Sequence, residues 1–261
     1  MPRLRRTLNE KQLLILKVIY KFRFINVELM LKPDTGVSFQ AMHKRLKVLL
    51  EHEYIFRMYS AKDRQMNRSA SYCFAPKGIK ALGGQPNINP SVLHAAYRDR
   101  TASEEFIEKS LQIFRLYRRF EKLYPGRFSI LTKSETTGYD YYPNRLPDIH
   151  LQDKRGGEDF FLDIVEIGFK PIVLRQKLSG YSSHCDEGTW EEVTGKDYPR
   201  LLLVCATPGI ERSLQRRVPR WLNNEEITAY TSSYKALLNS KSAKDEIWSD
   251  IDQPDELTKI L

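Results

Sequence analysis

The chain has 261 residues, 41% of them apolar and 29% charged, enough for one large or two modest hydrophobic cores. No stretch approaches the ~18 uninterrupted apolar residues of a membrane helix, the start of the chain lacks the apolar centre of a leader, and three scattered cysteines exclude a disulfide framework. A cytoplasmic protein with no membrane partner is therefore expected. The net charge of +9 is held unevenly: residues 1 to 80 carry 17 basic and 6 acidic side chains, the remainder 25 and 27. A basic first third joined to a slightly acidic remainder points to one module that meets a polyanion and a second with a different task.

After Arg3, Arg5 and Arg6, the residues Leu13, Leu16, Ile19 and Tyr20 recur at helical spacing and predict a helix from Asn9 to Phe22, with Asn9 as its N-cap. A short helix fits Asn26 to Leu31, Lys32-Pro33-Asp34-Thr35-Gly36 breaks the chain, and Ser38 caps a third helix running to about Glu53. On that third helix Phe39, Met42, Leu46, Leu49 and Leu50 gather on one side as core. Gln40, Ala41, Lys44, Lys47 and Val48 occupy the other, with His43 and Arg45 at its flanks. Amide, small and cationic side chains suit a DNA major groove, Gln40, Lys44 and Lys47 meeting base edges and Arg45 reaching phosphate. Two aromatic runs, Tyr54 to Tyr59 and Ser71 to Phe74, predict a hairpin whose polar connection carries Lys62, Arg64 and Arg68, placed to touch the DNA backbone or minor groove.

The order helix, short helix, turn, helix and basic-tipped hairpin follows the winged-helix plan. The phrase Arg45-Leu46-Lys47-Val48-Leu49-Leu50, with Tyr54-Ile55 after it and Tyr72 to Gly78 closing the hairpin, resembles the recognition helix and wing of bacterial winged-helix regulators. That resemblance implies double-stranded DNA as a partner.

Gly83-Gly84-Gln85-Pro86-Asn87-Ile88-Asn89-Pro90 reads as a linker, and the helix from Thr101 to about Leu123 carries a broad apolar stripe expected to pack on the second module. From residue 125 the strand candidates are Arg127 to Thr132, Ile149 to Asp153, Asp159 to Ile167, Arg200 to Ala206 and Ile227 to Ser232. Helices fit Pro171 to about His184 and Pro208 to about Val218, so the second module is α/β. Gly156-Gly157 reads as a two-residue hairpin turn, which sets His150 opposite Asp163 and Asp148 opposite Val165. Asp148 and Asp163 then share one face as diagonal neighbours able to hold one divalent metal, while Glu166 points to the other face unless a bulge shifts it.

This arrangement resembles the PD-(D/E)xK nuclease core, in which two acids bind magnesium and a lysine two residues after the second assists the attacking water. Pro147-Asp148 matches the first element, and the second is Asp163 or, with a bulge, Glu166. Val165 or Gly168 then stands where the lysine belongs. Lys177, on the following helix with Tyr181 one turn on, is the displaced candidate, and Lys170 a weaker one. Leu146-Pro147-Asp148, the strand ending Val165-Glu166-Ile167, and Arg175-Gln176-Lys177-Leu178 with Tyr181 make the whole chain similar to the replication-relaxation family of plasmids and other mobile elements.

The expected fold is α+β: a winged helix-turn-helix over residues 1–84, a linker and connecting helix over 85–123, a PD-(D/E)xK-like domain with a mixed sheet over 124–240, and an acidic tail over 241–261 without assured order. The family resemblance implies a DNA-binding accessory factor in replication or DNA relaxation with a degenerate nuclease-like domain. A replication or mobilisation protein and a second copy of the chain are the further partners considered. The alternatives are a magnesium-dependent endonuclease or nickase, with Asp148, Asp163 and Lys177 catalytic and Asp148 and Asp163 on the metal, and a winged-helix transcriptional regulator.

Overall fold

A computed structural model describes residues 8–31 and 37–260. Arg3, Arg5, Arg6 and the expected break at 32–36 lie outside the described residues. The chain divides into two compact units, 1–115 and 116–261.

The first unit begins with α1 (Glu10–Phe22), capped as expected: Asn9 accepts the Gln12 N–H at 2.9 Å while Gln12 Oε1 accepts the Asn9 N–H at 3.1 Å. Ile15, Leu16, Ile19 and Phe22 form its buried stripe. Strand β1 (Ile25–Asn26) leads into α2 (Val27–Met30), which Asn26 caps through the Leu29 N–H, and α3 (Phe39–Glu51) starts where Ser38 accepts from Ala41. Strand β2 (Ile55–Met58) and β3 (Ser71–Phe74) form the expected hairpin, with β1 on the far side of β3.

The connection between β2 and β3 is not all loop. It contains α4 (Ala61–Gln65), closed by a capping box in which Ser60 and Asp63 exchange hydrogen bonds. After β3 come α5 (Pro76–Leu82) and α6 (Pro90–Ala95) with a 3₁₀ turn over Ala96–Thr101, and the segment read as linker, Gly83 to Pro90, joins the two helices. Helix α7 (Glu104–Leu123) follows, and the division of the chain falls within it. Its first half belongs to the first unit: Leu111 packs with Phe24 and Cys73, and Phe114 stacks on Phe22 at 4.1 Å.

The second unit is built on a seven-stranded mixed sheet, counted among the described residues, in the order β10-β9-β8-β7-β6-β5-β4. Strand β4 (Phe128–Thr132) is followed by the short α8 (Lys133–Thr136), and β4, β5 (Ile149–Asp153) and β6 (Phe160–Val165) form an antiparallel meander. Then α9 (Pro171–Asp186) and α10 (Thr189–Thr194) lead to β7 (Arg200–Cys205), parallel to β6. Flanked by parallel neighbours, β7 is almost wholly apolar, as buried central strands are. Helices α11 (Pro208–Gln215) and α12 (Val218–Trp221) connect to β8 (Ala229–Ser233), then α13 (Tyr234–Asn239) follows. The acidic segment expected as a tail supplies β9 (Trp248–Asp250) and β10 (Leu257–Thr258) to the sheet edge, anchored by fully buried Trp248. The fold is thus α+β with a mixed sheet, as the sequence predicts.

The register of β5 against β6 differs from the expected one by two residues. Ile149 pairs with Leu162 and His150 with Phe161, because Gly156-Gly157 is not a two-residue turn but part of a longer loop. Two aspartates hold that loop. The Asp153 carboxylate accepts from the Arg155 N–H and from Arg127, and Asp159 accepts the Asp153 N–H at 2.9 Å while pairing with Lys196. Side-chain oxygens therefore take hydrogen bonds that a tight turn would have made between backbone groups.

Candidate functional site

In the first unit α3 separates its faces as expected, with two exceptions. Met42, Leu46 and Leu49 are buried, and Gln40, Lys44 and Lys47 are exposed with Arg45 half-buried between them. Phe39, expected in the core, is 51% exposed and stacks on the exposed His43, because it occupies the first turn, where the helix has not yet reached the core. Leu50 is half-buried. Lys47 stands 3.9 Å from Glu51 in a solvent-exposed i,i+4 pair, which leaves its ammonium available. On the hairpin, Arg64 and Arg68 are exposed, whereas Lys62 is bound to Glu104 at 2.6 Å.

In the second unit the two-residue shift of register brings Asp148 and Asp163 directly opposite one another. The Asp148 N–H donates to Asp163 Oδ1 and the Ile164 N–H to Asp148 Oδ2, each at 3.0 Å. Both side chains are buried. Lys177 reaches the pair from α9, its Nζ 2.5 Å from Asp163 Oδ1, and the Tyr181 hydroxyl one turn on donates to Asp163 Oδ2 at 2.8 Å. Both groups stand on the helix face that covers the sheet.

A second lysine, overlooked in the sequence, completes the cluster: Lys133 Nζ lies 2.7 Å from Asp148 Oδ1. Thr132 pairs with Ile149, so Lys133 follows at the level of Asp148, and the Thr132–Glu135 capping box turns the chain there. The signal was present in the spacing of the meander but required its register. Two carboxylates and two ammoniums make the cluster neutral overall. Burial holds Lys177 below the usual lysine range against the pull of Asp163 and Asp148, and burial also raises the Tyr181 phenol well above its ordinary value.

Glu166 is half-buried beyond the end of β6 and makes no part of these hydrogen bonds, and Lys170 is exposed at the start of α9. His150, expected opposite Asp163, instead contacts Tyr142 at 2.7 Å and Asp159 at 3.3 Å. Burial alone would raise Asp159, but hydrogen bonds from His150, Lys196 and the Asp153 N–H outweigh it and leave this carboxyl below the ordinary range.

Carboxylate oxygens are the right chemistry for magnesium, yet this donor set does not fit the ion. The oxygens of Asp148 and Asp163 already meet Lys133, Lys177, Tyr181 and two backbone N–H groups, so ammonium groups occupy the cation's place. Among the described residues no group of three or more His, Cys, Asp or Glu is positioned around one point.

No protein family and no curated protein matches the chain. Among solved structures it is similar to the restriction endonuclease FokI bound to DNA, with 13% identity over 90% of this chain and 45% of that one, at a TM-score of 0.32. The same enzyme in a second structure gives 12% identity over 87% and 43%, at 0.33. The chain thus spans less than half the length of the structures it matches, and a likeness this slight carries no argument. Among the described residues no helix is long and apolar enough to cross a membrane.

Proposed function

We propose that this protein binds double-stranded DNA through a winged helix in its first unit and carries a degenerate nuclease-like domain in its second, serving a plasmid or other mobile element as an accessory factor in replication or DNA relaxation. The observation that carries the DNA reading is the face of α3: Gln40, Lys44 and Lys47 are exposed together while the opposite face is buried. Exposed Arg64 and Arg68 on the hairpin add the cations that a wing needs. Support for a degenerate second unit comes from the two aspartates, whose oxygens are taken up by lysines and backbone. The role in replication rests on the sequence resemblance, and a replication or mobilisation protein or a second copy of the chain is the partner proposed for the second unit.

The test is fluorescence anisotropy on duplex DNA across a salt series. Lys44→Ala and Lys47→Ala should each weaken binding and lower the slope of log affinity against log salt by roughly one. Unchanged slopes in both would refute the α3 reading. Incubating supercoiled plasmid with Mg²⁺ or Mn²⁺ addresses the second unit: no nicking is expected, and metal-dependent nicking lost in Asp148→Ala would instead establish an active nuclease.

A further inference from the structure

The second unit, slightly acidic as a whole, contains one surface of the opposite sign. Residues 167–185 hold Lys170, Arg175 and Lys177 and no acid, and residues 212–224 hold Arg212, Arg216, Arg217 and Arg220 and no acid. The fold brings these two acid-free segments together. Helix α12 packs on α9, and Val218 and Leu222 share a core cluster with Leu174 and Leu178. Lys177 turns inward to Asp163, and Arg212 lies beside Glu211. The others are exposed: Lys170 and Arg175 on the first turns of α9, Arg216 and Arg217 at the α11–α12 junction, and Arg220 on α12.

Two features separate this surface from an ordinary solvated face. Such faces intersperse both signs of charge, whereas along both segments only cations appear, the neighbouring acids Asp186, Glu211 and Glu226 standing at their ends. Arg216, at the C-terminal end of α11, suits the helix dipole, but that accounts for one arginine and not its neighbours. Ile172 and Val173, beside Arg175, are 58% and 49% exposed, an apolar component that a purely hydrated face does not need. Arg145 borders the same turn, donating to Gln176 at 2.9 Å.

We propose that the exposed side of α9 and the α11–α12 junction form a second nucleic-acid-binding surface. The guanidinium groups would meet phosphates, and Ile172 and Val173 would lie against the sugar edge. This deepens the proposed function, resting on duplex DNA as the ligand. Two phosphate-binding surfaces in one chain raise the effective concentration of each for a duplex long enough to engage both.

The experiment uses the full chain and anisotropy on duplexes of about one and about four helical turns, at ~10 bp per turn. R216E/R217E should lose more than about tenfold in affinity for the long duplex, with the salt slope falling by about two, and lose little on the short one. R216Q/R217Q should shift in the same direction by less, and circular dichroism melts of both should match the parent. K44E/K47E tests the first unit separately. If R216E/R217E binds the long duplex as the parent does while K44E/K47E is weakened, the second surface is overturned and the winged-helix reading stands. The converse overturns the winged-helix reading alone. If the parent binds neither duplex, both fall. Binding to phosphatidylserine vesicles that R216E/R217E abolishes, with DNA affinity unmoved, would overturn the proposal in favour of a lipid surface.

Discussion

The α3–hairpin surface of the first unit and the β4–β6 meander of the second use their cations in opposite ways. In the first, Gln40, Lys44 and Lys47 stand exposed on α3, and Arg64 and Arg68 on the hairpin, spending little on folding. In the second, Lys133, Lys177, Lys196 and Arg127 each pair with a buried aspartate of the β4–β6 meander or its loop. An exposed charge contributes little to stability and remains free to meet a ligand, whereas a buried pair becomes part of the fold, since removing one partner strands the other. The same residue types therefore serve recognition where they stand exposed and architecture where they meet a buried aspartate, as Arg23 also does with Asp99 in the first unit.

The contrast breaks most visibly at Asp163. Asp163→Ala leaves Lys177 buried without its counter-charge and the Asp148 N–H and Tyr181 hydroxyl without an acceptor, a loss on the order of 3–5 kcal/mol. Trp190, Trp221 and Trp248 all lie in the second unit, so denaturation followed by tryptophan fluorescence reads it directly. Asp163→Leu combined with Lys177→Met should recover the part of that loss due to the stranded ammonium, and a double variant as unstable as the single one would show that the lost hydrogen bonds, not the charge, dominate. Lys44→Ala should leave the same curve unmoved.

The corresponding weak point of the first unit is steric. A Cβ at Gly78 would meet the Tyr54 carbonyl oxygen at 2.1 Å, and neither backbone can move freely, because the Ala75 N–H holds that same oxygen at 3.1 Å. Gly78→Ala should cost roughly 1–3 kcal/mol, lowering far-UV ellipticity and DNA affinity together before tryptophan fluorescence changes.

Alkaline pH should separate the units more gently. Burial raises Tyr117, Tyr142, Tyr181 and Tyr198, and Tyr124 to about 12, all in the second unit, against Tyr72 in the first. A folded-state pKa above the unfolded value near 10 gives stability that is full below pH 10 and is lost progressively as pH rises from there through the folded-state value. Lys177, held low, acts in the opposite direction as one group. Cys73, pushed up to about 12, adds a single such term to the first unit. Denaturant midpoints by tryptophan fluorescence should therefore fall between pH 9.5 and 11, and a flat profile would refute this ordering.

The smallest effect is expected at Lys62. Its bridge to Glu104 is exposed on both sides, worth less than about 1 kcal/mol. Because the bridge competes with phosphate, Lys62→Ala should lower the salt slope of DNA binding less than Arg64→Ala does.

Much of the first unit was legible along the chain because its signals are local. Asn9, Asn26 and Ser38 cap their helices through neighbours three residues on, and the α3 stripe follows helical spacing. The β4–β6 meander was legible as strands but not as pairings. The aspartates Asp153 and Asp159 converted an apparent glycine turn into a longer loop, which moved the register by two while preserving which residues share a face. Asp148, Asp163 and Lys177 thus emerged from the sequence as a group.

Lys133 did not, since its place beside Asp148 depends on the pairing of Thr132 with Ile149. The nearness of α9 to α12, which assembles the basic surface of the second unit, likewise depends on a shared core. By itself the sequence determined element types, caps, the exposed face of α3 and the chemistry available to the acids, because these follow from neighbours within about one turn of helix or one strand. Only the tertiary structure decided that both acids are already neutralised, because the lysines that do so arrive from elements 14 and 15 residues away in the chain.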